Sequence, residues 1–270
     1  MNIYTLNVGQ GQFVVVTGET EAFIVDTYLP MNPSQDVEYV KAALTEVLRD
    51  KNLIGLMITG FDADHFNEVG LRVVLNKYRP DWLMYPKYFK NTISADRCFD
   101  VIEDFAFAKS IKRYSVCLKS NPNRFYNKIS DEFKFEILSP HADDMTSSNN
   151  CSLVCKVTER STQATYMVTG DTECDRWDSI VEYFADSLEC DVLAAPHHGS
   201  KHGITEEAIA LMCPVHVIVS AGVDNQFGHP SRESVRLFEE YADAWISTNE
   251  GDGQSLLTEA NGLVVETSEF

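Results

Sequence analysis

The sequence predicts an α/β chain whose strands and helices stack in layers. Short apolar runs alternate with segments of helical periodicity along the whole length. Each half opens or continues with strands and carries its helices afterwards. Such a chain can form two packed sheets with helices outside, a four-layer αββα sandwich, or one long mixed sheet. Periodicity alone does not choose between them.

In the first half, IYTLNV, FVVVTG and AFIVDT read as strands separated by the turns GQGQ and GETE. SQDVEYVKAALTEVLRD repeats apolar residues at helical spacing, with Ser34 as N-cap. NLIGLMIT is a buried strand, NEVGLRVVLNKYR a helix and WLMYP a strand. ADRCFDVIEDFAFAKSIKRY reads as one helix, ended near SVCLKSNPNR by turn residues. In the second half, EFKFEILSP, CSLVCKVTE and ATYMVTGD read as strands, with Cys151 and Cys155 on one strand face. Then come helix CDRWDSIVEYFADSL, strand DVLAAP, helix TEEAIALM, strand PVHVIVSAG and helix SRESVRLFEEYA. AWIST, SLLTEA and LVVETSE close the chain as strands. SNPNRFYNKISD and PHADDMTSSNN read as loops, and no Gly-, Ser- or Pro-rich linker interrupts the sequence. Residues 1–270 are therefore expected to form one domain.

Bulk properties narrow the function. Against 41 acidic residues there are 22 basic ones, a net charge of −19. A surface of that sign repels phosphate backbones at long range and disfavours a protein that coats nucleic acid. It leaves nucleic acid open as a substrate, since a metal or a local basic patch outweighs the mean field. The seven cysteines include no CxxC pair and lie largely in apolar runs, so they read as free thiols in a reducing cytoplasm. MNIYTLNVG lacks a basic n-region and a long apolar h-region, so neither a signal peptide nor a membrane association is expected.

Four expected strand ends carry Asp or His, the ligand types of zinc and manganese. NLIGLMIT runs into GFDADH, with Asp62, Asp64 and His65. ATYMVT runs into Gly170-Asp171, DVLAAP into His197-His198, and VHVIVSAG is followed by FGHP with His229. Each alone has an ordinary reading: an acidic helix start, a Gly-Asp turn, a satisfied loop histidine, a turn before proline. His216, inside an apolar strand, and His141, in a polar loop, read as structural. His202 flanks the HHGSKHG loop with no assigned task.

Taken in order, LNVGQGQFVVV, TGFDADH, NNCSLV, YMVTGD, DVLAAPHHGSKHG and FGHPSRESV resemble the motifs of the metallo-β-lactamase fold. The branch they resemble is the hydrolase module of ComEC-type competence proteins and its free-standing relatives. That resemblance spans Leu6 to about Val235 and selects the αββα sandwich. It implies two metals at the seam between the sheets, with the Asp-His pair serving one and two preceding histidines the other. Asp64 and His65 match the Asp-His pair, Asp171 the bridging aspartate and His229 the late histidine. His197 and His198 match the PHHGS histidines, as ligand or as groups facing a scissile phosphate. Asn150 and Ser152 match an N-x-S strand beside the site. Two departures stand out: Gly60 and Asp62 replace the two leading histidines, and Gln12 replaces an aspartate in the opening motif.

The expected metal ligands are therefore Asp62, Asp64, His65, Asp171, His197 and His229, with His197, His198 and Asp64 in the chemistry. One firm site for Zn or Mn is expected and a second that is weak or absent, because Gly60 has no donor and Asp62 offers one carboxylate. The resemblance implies metal-assisted hydrolysis of a phosphodiester or phosphate ester, DNA or a nucleotide included. In it, His197 or His198 stabilises developing charge or protonates the leaving oxygen. Acidity favours a small substrate or one presented by a protein partner. The rival expectation is an inactive member of the fold that binds a partner or ligand.

Overall fold

The computed structural model describes residues 1–30, 34–88, 90–119, 124–143, 147–260 and 263–267. Strands β1 (Asn2–Thr5), β2 (Val14–Thr17) and β3 (Glu21–Val25) form an antiparallel meander. Helix α1 (Ser34–Val47) crosses over to β4 (Asn52–Met57), α2 (Glu68–Lys77) to β5 (Trp82–Pro86), and α3 (Ile93–Lys109) to β6 (Lys112–Val116). These crossovers make β3 to β6 parallel. A second series contains β7 (Arg124–Tyr126), β8 (Phe133–Ser139), β9 (Val154–Glu159) and β10 (Thr165–Val168), paired antiparallel. Helix α4 (Cys174–Phe184), β11 (Val192–Ala194), α5 (Glu206–Met212), β12 (His216–Val219), α6 (Arg232–Tyr241) and β13 (Ala244–Ser247) continue that sheet with parallel strands. The last strands, β14 (Ser255–Glu259) and β15 (Leu263–Thr267), return to the first sheet beside β1.

The two sheets pack face to face. Val14 and Val16 of β2 point into the seam while Val15 points to the helices, the period-two alternation of a strand buried on both faces. Phe23 of β3 meets Phe133 and Phe135 of β8 edge-on, each at 5.2 Å between ring centroids. Trp82 of β5 meets Phe135 at 5.3 Å. Outside the first sheet, Val40, Leu44, Leu71, Val74 and Val101 of α1 to α3 cover Val15, Ile24, Leu56 and Leu83. On the other side Trp177, Ile180, Ile209 and Phe238 of α4 to α6 join the second sheet's core. The layers run helix, sheet, sheet, helix, as expected of an αββα sandwich.

Local details differ from expectation. Helix α3 stops at Lys109, where Ser110 adopts a left-handed conformation and its amide bonds the Ala106 carbonyl. The following KRYSV is an edge strand, not a last helical turn: pairing with β5 outweighs helix propensity there. RFY, inside a stretch expected to be loop, pairs with β8 as β7. Cys151 and Cys155 do not share a strand face, because Asn149–Cys151 is a 3-10 turn and only Cys155 lies in β9. The Ser34 side chain lies outside the described set. All seven cysteines are free thiols, and no helix among the described residues is long and apolar enough to cross a membrane.

Candidate metal centre

The expected ligand residues leave strand ends at one edge of the sandwich. Strand β3 ends at Asp26, whose backbone is left-handed (φ 57°), a conformation aspartate tolerates better than most residues. Its neighbour Thr27 donates its amide to the His65 carbonyl at 2.8 Å, fixing the Asp64-His65 loop against β3. Gly70 makes this approach possible: a Cβ there would land 1.5 Å from the Thr27 carbonyl oxygen. Asn67 caps α2 by accepting from the Gly70 amide, so His65 sits just before a firmly anchored helix.

Asp26 is fully buried and was not singled out in the sequence. Its carboxylate accepts from the Thr59 amide at 2.7 Å, the Thr59 hydroxyl at 2.6 Å and His65 Nδ1 at 2.8 Å. Facing a carboxylate, Nδ1 carries the proton, so Nε2 of neutral His65 is a bare lone pair. That Nε2 lies 2.8 Å from Asp171 Oδ1, without hydrogen-bond alignment. His198 repeats the arrangement. Its Nδ1 donates to the Ser220 carbonyl at 2.7 Å, and its Nε2 lies 3.6 Å from the same Asp171 oxygen and 3.8 Å from Asp64 Oδ2.

Two imidazole lone pairs thus face one carboxylate oxygen, acceptor against acceptor. All three atoms are buried and lack a hydrogen-bond partner among the described residues. Such a convergence is repulsive unless a proton or a cation stands between the groups. The donor atoms of His65, Asp171 and His198 lie within 4.8 Å of one another. Ligands of a tetrahedral zinc ion stand roughly 3.3 Å apart, so the set suits a single divalent cation. In its absence the proton takes the place. Burial alone would push the His65 imidazole down, but the Asp171 and Asp26 carboxylates outweigh burial and hold its pKa well above the usual range.

The remaining candidates surround this point. His229 Nδ1 is buried without a partner, and burial together with the His198 and His197 imidazoles pushes its pKa down to about 4, leaving it a neutral donor. Its ring centroid is 6.5 Å from that of His198 and 5.7 Å from that of His197. His197 points elsewhere: its Nδ1 lies 3.4 Å from Glu173 Oε1 at the rim. Both PHHGS histidines are left-handed (φ 49° and 56°), an unfavourable choice for two successive side chains of this size and one that turns them to different neighbours. Asp62 pairs with the Lys90 ammonium and stands outside the three-residue group. Ser152 accepts from the Asp171 amide at 3.1 Å and Asn150 from the Glu173 amide at 3.3 Å, so the N-x-S segment holds the Asp171 loop. Gln12 is buried, and its amide donates to the Asp64 carbonyl at 2.9 Å. His216 and His141 are buried away from this group, and His202 is exposed.

Comparison with known proteins bears on the fold that carries this geometry. The solved structure of Igni18, a metallo hydrolase from the archaeon Ignicoccus hospitalis, superposes with a TM-score of 0.50 at 12% identity, covering 96% of this chain and 99% of that one. This is a metallo-β-lactamase fold. The diiron β-hydroxylase CmlA from Streptomyces venezuelae shares it with a TM-score of 0.54 and 12% identity, over 90% of this chain and 52% of its own. The chain matches no family profile. Within the fold, its sequence is similar to ComE operon protein 3 of Bacillus subtilis (strain 168), 28% identical over 201 residues, 74% of this chain and 24% of that protein. Competence protein ComA of Neisseria gonorrhoeae is 29% identical over 101 residues, 37% of this chain and 14% of that protein. The chain thus spans a quarter or less of the length of these curated relatives. The likeness to these structures is one of fold, and the His65-Asp171-His198 group is a candidate site for a divalent metal.

Proposed function

We propose that the chain hydrolyses phosphodiester or phosphate-ester bonds with one divalent cation, Zn or Mn, nucleotides and DNA being the candidate substrates. The observation that carries the reading is the meeting of two imidazole nitrogens, His65 Nε2 and His198 Nε2, with one Asp171 carboxylate oxygen in a buried position at the strand ends. His65, Asp171 and His198 would hold the cation, with Asp64 and His229 beside them. When bound, it supplies Lewis acidity toward water and a phosphoryl oxygen. The chain's own groups do the rest. Asp26 and the Ser220 carbonyl fix the two ring orientations, so the donors are preorganised. His197, outside the three-residue group and paired with Glu173, is placed to protonate a leaving oxygen at the rim.

Phe227 supports a substrate that carries a base. It stacks on His229 at 5.7 Å and 26°, and 59% of it is exposed, giving a flat apolar surface at the mouth. The net charge of −19 favours a nucleotide or a single strand over free duplex. A second reading, a hydrolytically silent binding module, has one observation in its favour: Gly60 has no donor and Asp62 is held by Lys90. One assay separates the two. Hydrolysis of a generic phosphodiester, single-stranded DNA and duplex DNA is measured with added Mn²⁺ or Zn²⁺, beside metal content. Asp171→Ala and Asp64→Ala are expected to lower turnover at least a hundredfold, with loss of bound metal in Asp171→Ala. Turnover and metal content unchanged in both variants would sink the site assignment.

A further inference from the structure

We propose that the Lys90 ammonium, fixed by Asp62, takes the place of a second divalent cation at this site. The inference rests on the single-cation reading above and assigns a task to Lys90, a residue shortly after β5. Three observations carry it.

The first is position. Lys90 follows β5 and reaches across the mouth, pairing with Asp62 of the first loop and donating to the Ser148 hydroxyl at 3.5 Å. Ser148 begins a chain of contacts along the rim. Its hydroxyl lies 3.5 Å from Asn149 Oδ1, Asn149 Nδ2 donates to Glu173 Oε1 at 3.0 Å, and Glu173 meets His197 at 3.4 Å. The ammonium therefore stands between the loops of the two sheets, on the Asp62 side of the site, with His197 at the far end of the rim.

The second is space. A Cβ added at Gly60 would find nothing closer than His65 and the Ser152 hydroxyl, all at 3.9 Å. A Cβ at position 60 would therefore make only ordinary contacts, beside His65 and beside Ser152, whose hydroxyl holds the Asp171 amide. Donors at 60, 62 and 171 would make a second cation site. Here position 60 has no donor, and the carboxylate at 62 already has a cation.

The third is charge. Asp64 and Asp171 both face His198 Nε2, Asp62 stands two residues before Asp64, and Asp171 is buried. Partial burial pulls the Lys90 ammonium, 24% exposed, below its usual range, and the Asp171 carboxylate opposes this while Asp62 pairs with it. A fixed ammonium in this partly desolvated place does what a second ion would do: it offsets the carboxylates and presents positive charge to a phosphoryl oxygen.

The test counts ions. Wild type, Gly60→His/Asp62→His and Gly60→His/Asp62→His/Lys90→Gln are loaded with Zn²⁺ or Mn²⁺ and desalted. Metal is measured by mass spectrometry, affinities by calorimetric titration, and folding by circular dichroism. We expect one ion in wild type and two in the triple variant, with the second ion bound at least tenfold more weakly when Lys90 is retained. Equal second-ion affinity with and without Lys90, two ions in wild type, or one ion in the triple variant would each overturn the proposal. A wild type that holds no ion overturns both this inference and the hydrolase reading. One ion without hydrolysis counts against the hydrolase reading alone. Where wild type turns over, Lys90→Gln is expected to lose at least tenfold in kcat with its single ion retained, and Lys90→Arg to recover most of it.

Discussion

Replacing Asp26 by Asn tests whether this buried carboxylate sets the state of His65. Asn tolerates the left-handed backbone at this position as well as Asp does, so the fold is not challenged by conformation. One oxygen remains to accept from the Thr59 amide. The other becomes an NH₂ facing His65 Nδ1 and the Thr59 hydroxyl, which are now 2.8 and 2.6 Å from a donor. The imidazole must then accept at Nδ1 and carry its proton on Nε2, toward Asp171. A ligand nitrogen that carries a proton cannot bind a cation, so metal must pay for the tautomer change. Loss of such a supporting contact costs roughly 10- to 100-fold in metal affinity, or about 1.4 to 2.7 kcal/mol. The stability cost is about 1 to 2 kcal/mol, since Thr59 can turn its hydroxyl to accept. Asp26→Ala would be less informative: three donors lose their acceptor at roughly 1–3 kcal/mol each, enough to unfold a marginal domain. The assay is chelator competition for Zn²⁺ or Mn²⁺ on Asp26→Asn, with thermal melts to confirm folding and imidazole nitrogen shifts to read the tautomer. A folded Asp26→Asn protein that binds metal within about twofold of wild type, with His65 still protonated at Nδ1, would refute the reasoning.

Two further outcomes follow from other contacts. Partial burial alone would raise the Glu132 carboxyl, but hydrogen bonds from Thr20 and Glu21 outweigh it and hold it below its ordinary value, so its contribution is present above the unfolded value near 4.5 and is lost as pH falls through the folded one. Urea melts of Glu132→Gln should therefore show a deficit against wild type at about pH 7 that narrows as the pH falls below the ordinary carboxylate range, and a deficit independent of pH would contradict this. Gly170→Ala places a Cβ 2.9 Å from Thr59 Oγ1 at a φ of +54°, which should cost roughly 2–3 kcal/mol in thermal or urea melts and weaken metal binding through Thr59, whereas a variant as stable as wild type would show that the turn relaxes freely.

Much of the architecture was legible in the sequence because strands end where ligands begin. The Asp64-His65, Asp171 and His198 loops each follow a run of buried aliphatics, and the order of those loops carried the resemblance to the metallo-β-lactamase fold. What escaped was set by pairing across the chain. Asp26 reads as an ordinary strand end in AFIVDT, and only the parallel alignment of β3 with β4 brings it to a histidine 39 residues later. His197 and His198 are neighbours that spacing cannot separate. Two left-handed residues in succession send one to the Ser220 carbonyl and the centre and the other to Glu173 and the rim. Nothing in the sequence marks Lys90, and its partner Asp62 is apparent only once β4 and β5 lie side by side.

These same contacts bear on which phosphoester the site can accept. Leaving aside Asp26, whose buried carboxyl bonds Thr59 and His65, the proposed arrangement balances Asp62, Asp64 and Asp171 with one ammonium and one divalent cation, which would leave the mouth near neutral when the histidines are uncharged. Two divalent cations in the same place would leave it positive by one charge, before any substrate arrives. Each excess charge matters more here than on the surface, because Asp171 and His198 are buried and little water screens them. A singly charged diester therefore meets a smaller electrostatic cost than a doubly charged monoester. With Lys90 in place of an ion as proposed, the charge balance and the exposed Phe227 ring would both favour a nucleotide diester over a terminal phosphate.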